Sequence, residues 1–168
     1  HNQSRRQRQM CIRDSSTSDN VTESSDEGTD TIFSSVTYTT SNNVENLTLT
    51  GSDDINGTGN ILNNTIRGNS GDNNLKGEDG NDKIFGNGGN DTLEGGAGND
   101  FLNGGAGDDD MSGGADDDIY IVDSTSDNVT ESSNEGTDTI FSSVTYTTSN
   151  NVENPVSYTH LRAHETET

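Results

Sequence analysis

The chain has little of what most folded proteins use to build a core. It contains no tryptophan, one cysteine and one proline, and only 23% of its residues are hydrophobic. With a formal net charge of −22, this composition is typical of disordered segments that bury too little apolar surface to fold. The acidity argues against nucleic acid and anionic membranes as partners, since both are bound through basic patches. No apolar run approaches the ~20 residues that cross a bilayer, so we expect cations as partners and no direct membrane insertion.

The sequences at the two ends of the chain are related in a way that indicates an artefact of DNA sequencing. Residues 10–14 can be encoded by a string whose reverse complement encodes Val-Ser-Tyr-Thr-His, the sequence of residues 156–160. An inverted repeat of this kind resembles sequencing-adaptor read-through, so we interpret residues 1–14 and 155–168 as adaptor-derived tails that are not native. The single cysteine, the single proline and all three histidines lie in these tails. The remaining segment therefore offers no disulfide and no zinc-ligand cluster.

A long repeat divides the rest of the chain. Residues 16–46 recur at 124–154 with a spacing of 108 and a single change, Asp26 to Asn134. Near-identity over this length indicates a recent duplication within a modular array. We therefore expect the natural protein to be longer than this chain, with further copies of the unit.

A nine-residue repeat fills the space between the two copies. Gly stands at the first position of every unit, and an apolar or aromatic residue stands at the eighth. Asp fills the sixth position in five of the six clear units, and Asn73 fills it in the earliest. The units are GNSGDNNLK (68–76), GEDGNDKIF (77–85), GNGGNDTLE (86–94), GGAGNDFLN (95–103), GGAGDDDMS (104–112) and GGADDDIYI (113–121), preceded by a weaker copy, GNILNNTIR (59–67).

The composition of these units favours turns and a hard cation. Their Gly density disfavours helix by about 1 kcal/mol per residue relative to Ala, so each unit predicts six turn residues followed by a very short strand. Gly allows positive φ, so successive carbonyl oxygens can point to one side, and the Asp carboxylate adds an anionic oxygen. Ca²⁺ takes roughly six to eight oxygen ligands, which is more than one turn supplies but within reach of two stacked turns. An EF-hand is excluded, because no Glu stands at the twelfth position after a D-x-D-x-D-G loop.

The units resemble the RTX, or haemolysin-type, calcium-binding nonapeptide family, whose repeat is G-G-x-G-x-D-x-U-x with U apolar. The resemblance implies an all-β fold, a right-handed parallel β-roll in which two units complete one coil and each unit stacks on the next but one. It also implies about four Ca²⁺ ions between stacked turns, with a weaker site at Asn73 and a doubtful last site, where Asp116 replaces Gly. The candidate ligands are the sixth-position side chains and the first- and third-position carbonyls: Asp82, Asp91, Asp100, Asp109, Asp118, Asn73, Gly77, Gly86, Gly88, Gly95, Ala97, Gly104, Ala106 and Gly113.

The flanks of the roll carry strand patterns of their own. Residues 29–38 are β-branched and aromatic, with Ile32, Val36 and Tyr38 on one face, and residues 47–50 and 119–122 are similar. We expect these strands to continue or cap the roll, the alternative being isolated surface hairpins. The predicted organisation is a first flanking β segment (15–58), the β-roll (59–121) and a second flanking β segment (122–154).

No sequence feature points to catalysis. Carboxylates are abundant, but those that bind Ca²⁺ stay ionised, and no nucleophile elbow or P-loop is present in residues 15–154. The chain is therefore not expected to be an enzyme. The resemblance implies a module of a larger secreted bacterial protein that leaves the cell by type I secretion and folds on Ca²⁺ outside it. The alternative is a structural stalk or adhesin array on the cell surface.

Overall fold

The computed structural model describes residues 11–14, 28–133, 135–148 and 151–157. All regular structure in these residues is β-strand, and they contain no helix that could cross a membrane. From Thr31 to Ser142, successive strands alternate between two parallel sheets, so the chain forms a β-solenoid of about seven turns. The predicted all-β, parallel roll is thereby confirmed.

The two sheets differ in length. Within the described residues the long sheet has nine strands, in the order β1 (Cys11–Asp14), β2 (Thr31–Ser34), β4 (Asn46–Leu49), β6 (Thr65–Arg67), β8 (Lys83–Gly88), β10 (Phe101–Ala106), β12 (Ile119–Val122), β14 (Thr139–Ser142) and β15 (Asn154–Ser157). The short sheet, counted over the same residues, has six strands, in the order β3 (Tyr38–Thr39), β5 (Gly57–Thr58), β7 (Asn74–Asp79), β9 (Thr92–Ala97), β11 (Asp110–Ala115) and β13 (Asn128–Val129).

The register confirms that each nonapeptide stacks on the next but one. In the short sheet Leu75 pairs with Leu93, which pairs with Met111. In the long sheet Ile84 pairs with Leu102, which pairs with Tyr120. Equivalent positions therefore recur every 18 residues on the same side of the solenoid, and two units complete one coil.

The strands of the roll are longer than the sequence predicts. The expectation of six turn residues is wrong, because β8 runs from the seventh position of one unit to the third position of the next. Asn87 and Gly88 still pair with Gly105 and Ala106 of the next coil. A positive φ of 78° at Asn87 bends the strand without ending the pairing, so only the fourth to sixth positions form the turn.

The core is a single file of side chains between the two sheets. All six eighth-position residues are at most 2% exposed, as the sequence predicts: Leu75, Ile84, Leu93, Leu102, Met111 and Tyr120. The same cluster continues through Ile32, Leu47 and Ile66 on one side and Val129 and Ile140 on the other. The flanks therefore share one core with the nonapeptides.

The flanking segments continue the stack, which confirms the expectation of an extended solenoid over isolated hairpins. Residues 29–38, however, form two strands in different sheets, β2 and β3, and not a single strand. The corner is a serine turn, because Ser34 Oγ donates to the carbonyl of Val36 and accepts from its N–H. Ser142 and Val144 repeat this turn in the second copy.

Candidate metal centres of the nonapeptide turns

The sixth-position aspartates are buried and tied into a ladder. Each is at most 2% exposed, and its Oδ1 atom accepts a hydrogen bond from the backbone N–H of the residue 18 positions earlier. Asp118 Oδ1 accepts from Asp100 at 2.7 Å, and Asp109 Oδ1 accepts from Asp91 at 2.8 Å. The ladder therefore fixes one oxygen of every carboxylate to the preceding coil.

The second carboxylate oxygen of these residues is left without a partner. Among the described residues, Oδ2 is buried and accepts no hydrogen bond in Asp82, Asp91, Asp100, Asp109 and Asp118. A buried acceptor without a hydrogen bond costs ~1–3 kcal/mol of stability, and more when the group is charged. A regular row of such atoms indicates sites whose remaining partner is a cation.

The first-position glycines bring a backbone carbonyl to the same place. A Cβ built on Gly77 would overlap both Asp82 Oδ2 and the carbonyl oxygen of Gly95 in the next coil. The same arrangement recurs at Gly86, with Asp91 and Gly104, and at Gly95, with Asp100 and Gly113. Cβ atoms on Gly104 and Gly113 would likewise overlap Asp109 and Asp118. At Gly77, Gly86 and Gly95 a carboxylate oxygen and a carbonyl oxygen from stacked turns therefore meet where a side chain cannot fit, and Ca²⁺ prefers this mixture of hard donors.

The third-position carbonyls are already used by the sheet. The carbonyl oxygen of Ala97 accepts a backbone hydrogen bond of 2.8 Å from Gly80, and that of Ala106 accepts one of 3.1 Å from Gly89. Each keeps a second lone pair, as any carbonyl does. The roles of Gly88, Ala97 and Ala106 as ligands stay predictions.

Turns with Asn at the sixth position are closed by the protein alone. Asn73 Oδ1 accepts from the backbone N–H of Asn69 at 2.9 Å, and its Nδ2 donates to the carbonyl of Ile55 at 2.7 Å. Asn64 forms the equivalent bonds with Asn60 and Val44. The amide thus satisfies both of its ends, so this geometry gives no support to the predicted role of Asn73 as a weak calcium ligand.

The backbone at the second position separates the two kinds of turn. In the aspartate units this residue has positive φ, for example 81° at Glu78 and 122° at Gly96, and no N–H of the described residues reaches the Oδ2 atom. Asn60 and Asn69 hold the second position of their units without positive φ, and their N–H groups do reach the sixth-position side chain. In the aspartate units the positive φ therefore keeps the second-position N–H from donating to the sixth-position side chain.

Burial makes these carboxyl groups hard to ionise without a cation. Desolvation raises the pKa of Asp82, Asp91 and Asp109 to about 6, although the ladder hydrogen bond opposes the change. It raises the pKa of Asp100 to about 7 and that of Asp118 to about 8, with neighbouring carboxylates adding to the effect. A nearby cation acts in the opposite direction, because it favours the charged form.

Asp116 keeps the turn of the last unit in shape despite replacing a fourth-position Gly. Gly80, Gly89, Gly98 and Gly107 have positive φ at this position, and Asp116 adopts 78°. Asp is one of the few residues with a side chain that enters this region readily. The substitution therefore does not exclude a site at Asp118.

Sequence reasoning missed a second ladder at the fifth position. Asn99 donates its backbone N–H to Asn81 Oδ1 at 3.0 Å, and Asp117 donates to Asn99 Oδ1 at 3.2 Å. These side chains reach the following coil, whereas the sixth-position side chains reach the preceding one. The signal was available, because the fifth position is Asn or Asp in all seven units from 59 to 121.

An additional degenerate unit, residues 122–130, was also missed. Asp127 takes the sixth position and accepts from the N–H of Asp109 at 3.2 Å, and Val129 is a fully buried eighth position. The other oxygen of Asp127 accepts N–H bonds from Asp123 and Ser124, so this turn is closed by backbone donors. The missing first- and fourth-position glycines hid the unit.

Comparison with known proteins agrees with this geometry. Residues 58–93 and residues 85–120 each match the family model described as RTX calcium-binding nonapeptide repeat (4 copies). No curated protein and no solved structure matched the chain. The matched family is a structural calcium-binding repeat family and not a family of enzymes. Residues 58–120 therefore belong to the RTX calcium-binding nonapeptide repeat family.

Proposed function

We propose that this chain is a calcium-binding repeat module of a secreted bacterial protein and that it folds around Ca²⁺ after type I secretion. The observation that carries the proposal is the row of buried Oδ2 atoms without partners in five consecutive turns. Bound Ca²⁺ would be the missing partner of these oxygens and would neutralise the carboxylate charge. Neighbouring carbonyl oxygens would serve as its further ligands. RTX repeats occur in secreted bacterial proteins, which supports an extracellular or cell-surface location and a larger parent protein.

The residues of the chain would make folding depend on the ion. The Oδ1 ladder holds each carboxylate in place, while burial of the charge opposes folding at neutral pH in the absence of a cation. The affinity for the metal then acts as folding free energy, because the unfolded chain has no preformed site. We propose about four ions between stacked turns, with Asp82, Asp91, Asp100, Asp109 and Asp118 as side-chain ligands and first-position carbonyls as backbone ligands.

A calcium titration of the full chain tests the proposal. Far-UV circular dichroism is followed as Ca²⁺ is raised to the millimolar range, with Mg²⁺ as the matched control. We expect a cooperative transition from coil to β-structure with Ca²⁺ and none with Mg²⁺, since Mg²⁺ demands a smaller and more rigid octahedral shell. A full β-spectrum in EDTA at neutral pH, or no transition with either ion, would contradict the proposal.

A surface stalk or adhesin is a second candidate, favoured by the long duplication. Ile32 and Ile140 are equivalent residues of the two copies, and both are buried in one continuous core. Six strand steps of the long sheet separate them, which corresponds to about 29 Å at a strand spacing of ~4.8 Å. Small-angle scattering of the chain lengthened by one 108-residue unit tests this function, because a stalk requires the longest dimension to grow by about that distance. An unchanged dimension would argue against a stalk.

A further inference from the structure

Three buried carboxylates from different turns meet at the C-terminal end of the matched repeats. Asp118, Glu131 and Asp138 each place one oxygen within 4.8 Å of the other two. We propose that this cluster, the terminal carboxylate site, binds a divalent cation that prefers hard oxygen ligands, namely Ca²⁺. The proposal rests on the proposed calcium-binding function and extends it to residues outside the matched repeats.

The register explains why Glu131 enters this site. Glu131 follows Gly113 by 18 residues and therefore holds the first position of the next coil, which is Gly in the nonapeptides. Its Oε1 atom accepts from the N–H of Gly113 at 3.4 Å and from the hydroxyl of Tyr120. Beside Gly113 the Tyr120 hydroxyl takes the place in which the interior turns present a glycine carbonyl, and the Glu131 carboxylate binds that hydroxyl.

Asp138 supplies the third carboxylate by continuing the aspartate ladder. Its Oδ1 atom accepts from the N–H of Asp118 at 2.9 Å, although the separation is 20 residues and not 18. The two extra residues place Asp138 after a longer loop without breaking the ladder. The site is therefore built by the junction between the roll and the second flanking segment.

Unpartnered oxygens within the cluster point to a ligand. Asp118 Oδ2 and Glu131 Oε2 are buried without a hydrogen-bond partner among the described residues, and the two side chains are 1% and 7% exposed. The ion pair present in the same residues joins Lys76 and Glu94, so it does not neutralise this cluster. Several like charges buried together require a cation or protons, and three carboxylates form a harder donor set than one carboxylate and carbonyls.

Tyr120 positions Glu131 and gives the site an intrinsic reporter. In the other clear units the eighth position is aliphatic or Met, whereas the hydroxyl of the fully buried Tyr120 donates to Glu131 Oε1. This bond holds one oxygen of Glu131 and leaves Oε2 for the ion. A lanthanide bound in the cluster would lie close enough to the phenol ring for tyrosine-sensitised emission.

Terbium luminescence of the full chain, combined with equilibrium dialysis of Ca²⁺, tests the proposal. We expect tyrosine-sensitised Tb³⁺ emission that Ca²⁺ displaces and that saturates before the interior sites, because affinity rises with the number of charged ligands. Glu131→Gln and Asp138→Asn should each weaken this binding by about tenfold, so that one fewer Ca²⁺ is bound at the Ca²⁺ concentration that just fills the terminal site of the unmodified chain. Asp53→Asn removes one exposed charge in the first flanking segment and leaves the cluster intact, so it should change neither measurement.

Tyr120→Phe keeps the test decisive if the carboxylate variants do not fold. It retains all three carboxylates, so it should lose most of the sensitised emission while the Ca²⁺ stoichiometry stays the same. Emission equal to that of the unmodified chain would overturn the terminal site. Unchanged emission and stoichiometry in Glu131→Gln would also overturn the terminal site, but would not contradict the interior sites. A chain that binds no Ca²⁺ at all would overturn the proposed function as well.

Discussion

The Oδ1 atom of Asp100 accepts a hydrogen bond of 2.7 Å from the backbone N–H of Asp82, which lies one coil earlier. The Oδ2 atom of the same carboxylate is buried and has no partner among the described residues. Each sixth-position aspartate therefore has one structural oxygen and one oxygen available to an ion. Under the proposed function, this division would let one residue type both stack the coils and bind the metal.

Removing the charge at Asp100 separates these two roles. In Asp100→Asn the amide oxygen can still accept from Asp82, but no carboxylate faces the neighbouring carbonyl of Gly113. We expect the loss of at least one Ca²⁺ and a rise of about tenfold in the Ca²⁺ concentration at the folding midpoint, measured by dialysis and circular dichroism. Asp53→Asn, which removes an exposed charge in the first flanking segment, is the control and should leave both values near those of the unmodified chain.

Adding a methyl group should have opposite effects on stability at a first-position glycine and at a third-position glycine. Gly77→Ala should destabilise the Ca²⁺-loaded chain by about 1–3 kcal/mol, because the Cβ overlaps Asp82 Oδ2 and the carbonyl of Gly95. Gly88→Ala should be neutral or stabilising by up to about 1 kcal/mol, since its Cβ comes no closer than 3.8 Å to the carbonyl of Ala106. Urea unfolding in saturating Ca²⁺ measures both, and equal stabilities would mean that first-position glycines are not sterically required.

The period of the sequence predicts which residues stack but not which atom of a side chain is used. Leu102 and Tyr120 could be assigned to one side of the core, because an 18-residue coil follows from two nonapeptides. The opposite directions of the Asn81 and Asp82 side chains could not be predicted from the sequence, since both are short polar residues in one turn. Glu131 was missed for a different reason: it replaces the glycine that defines the register, so the pattern ends where the site begins.

The adaptor interpretation of the ends predicts that they are dispensable. The strands β1 and β15 pair only at the two outer edges of the long sheet. A chain limited to residues 15–154 should therefore keep the Ca²⁺-induced β transition, with a midpoint within about twofold of that of the full chain. Loss of the transition in the shorter chain, while the full chain retains it, would show that the edge strands are needed for folding.

Asn73→Asp should convert an ion-free turn into one that depends on Ca²⁺. The substitution removes the Nδ2 donation to the carbonyl of Ile55 and places a charged oxygen against the carbonyl of Gly86. In EDTA near pH 6, where the calcium-free chain still folds and the new carboxyl group ionises, we expect a loss of about 1–3 kcal/mol. In saturating Ca²⁺ we expect that loss to be largely recovered and one more ion to be bound. Asn74→Asp, an exposed neighbour with the same change in charge, should show neither effect.

Acidification should stabilise the calcium-free fold. Burial raises the pKa of Asp100 to about 7 and that of Asp118 to about 8, well above the ordinary value near 3.8. The folded chain therefore holds protons that the unfolded chain releases, and this contribution is complete below about pH 3.8 and lost as the pH rises through about 6 to 8. In EDTA we expect β-structure near pH 4 and its loss towards pH 8, measured by circular dichroism.

The Ca²⁺-loaded chain should show the opposite dependence, because ligation requires the ionised carboxylates. Ca²⁺ binding near pH 5, where the calcium-free chain is still folded and holds protons on its buried aspartates, should release those protons, and a weakly buffered titration measures them directly. Asp118→Asn removes the group with a pKa of about 8, so it should flatten the upper part of the pH curve in EDTA and reduce the proton release. Asp53→Asn supplies the matched loss of an exposed charge. An identical pH curve for all three chains would mean that general charge repulsion, and not the buried aspartates, controls folding.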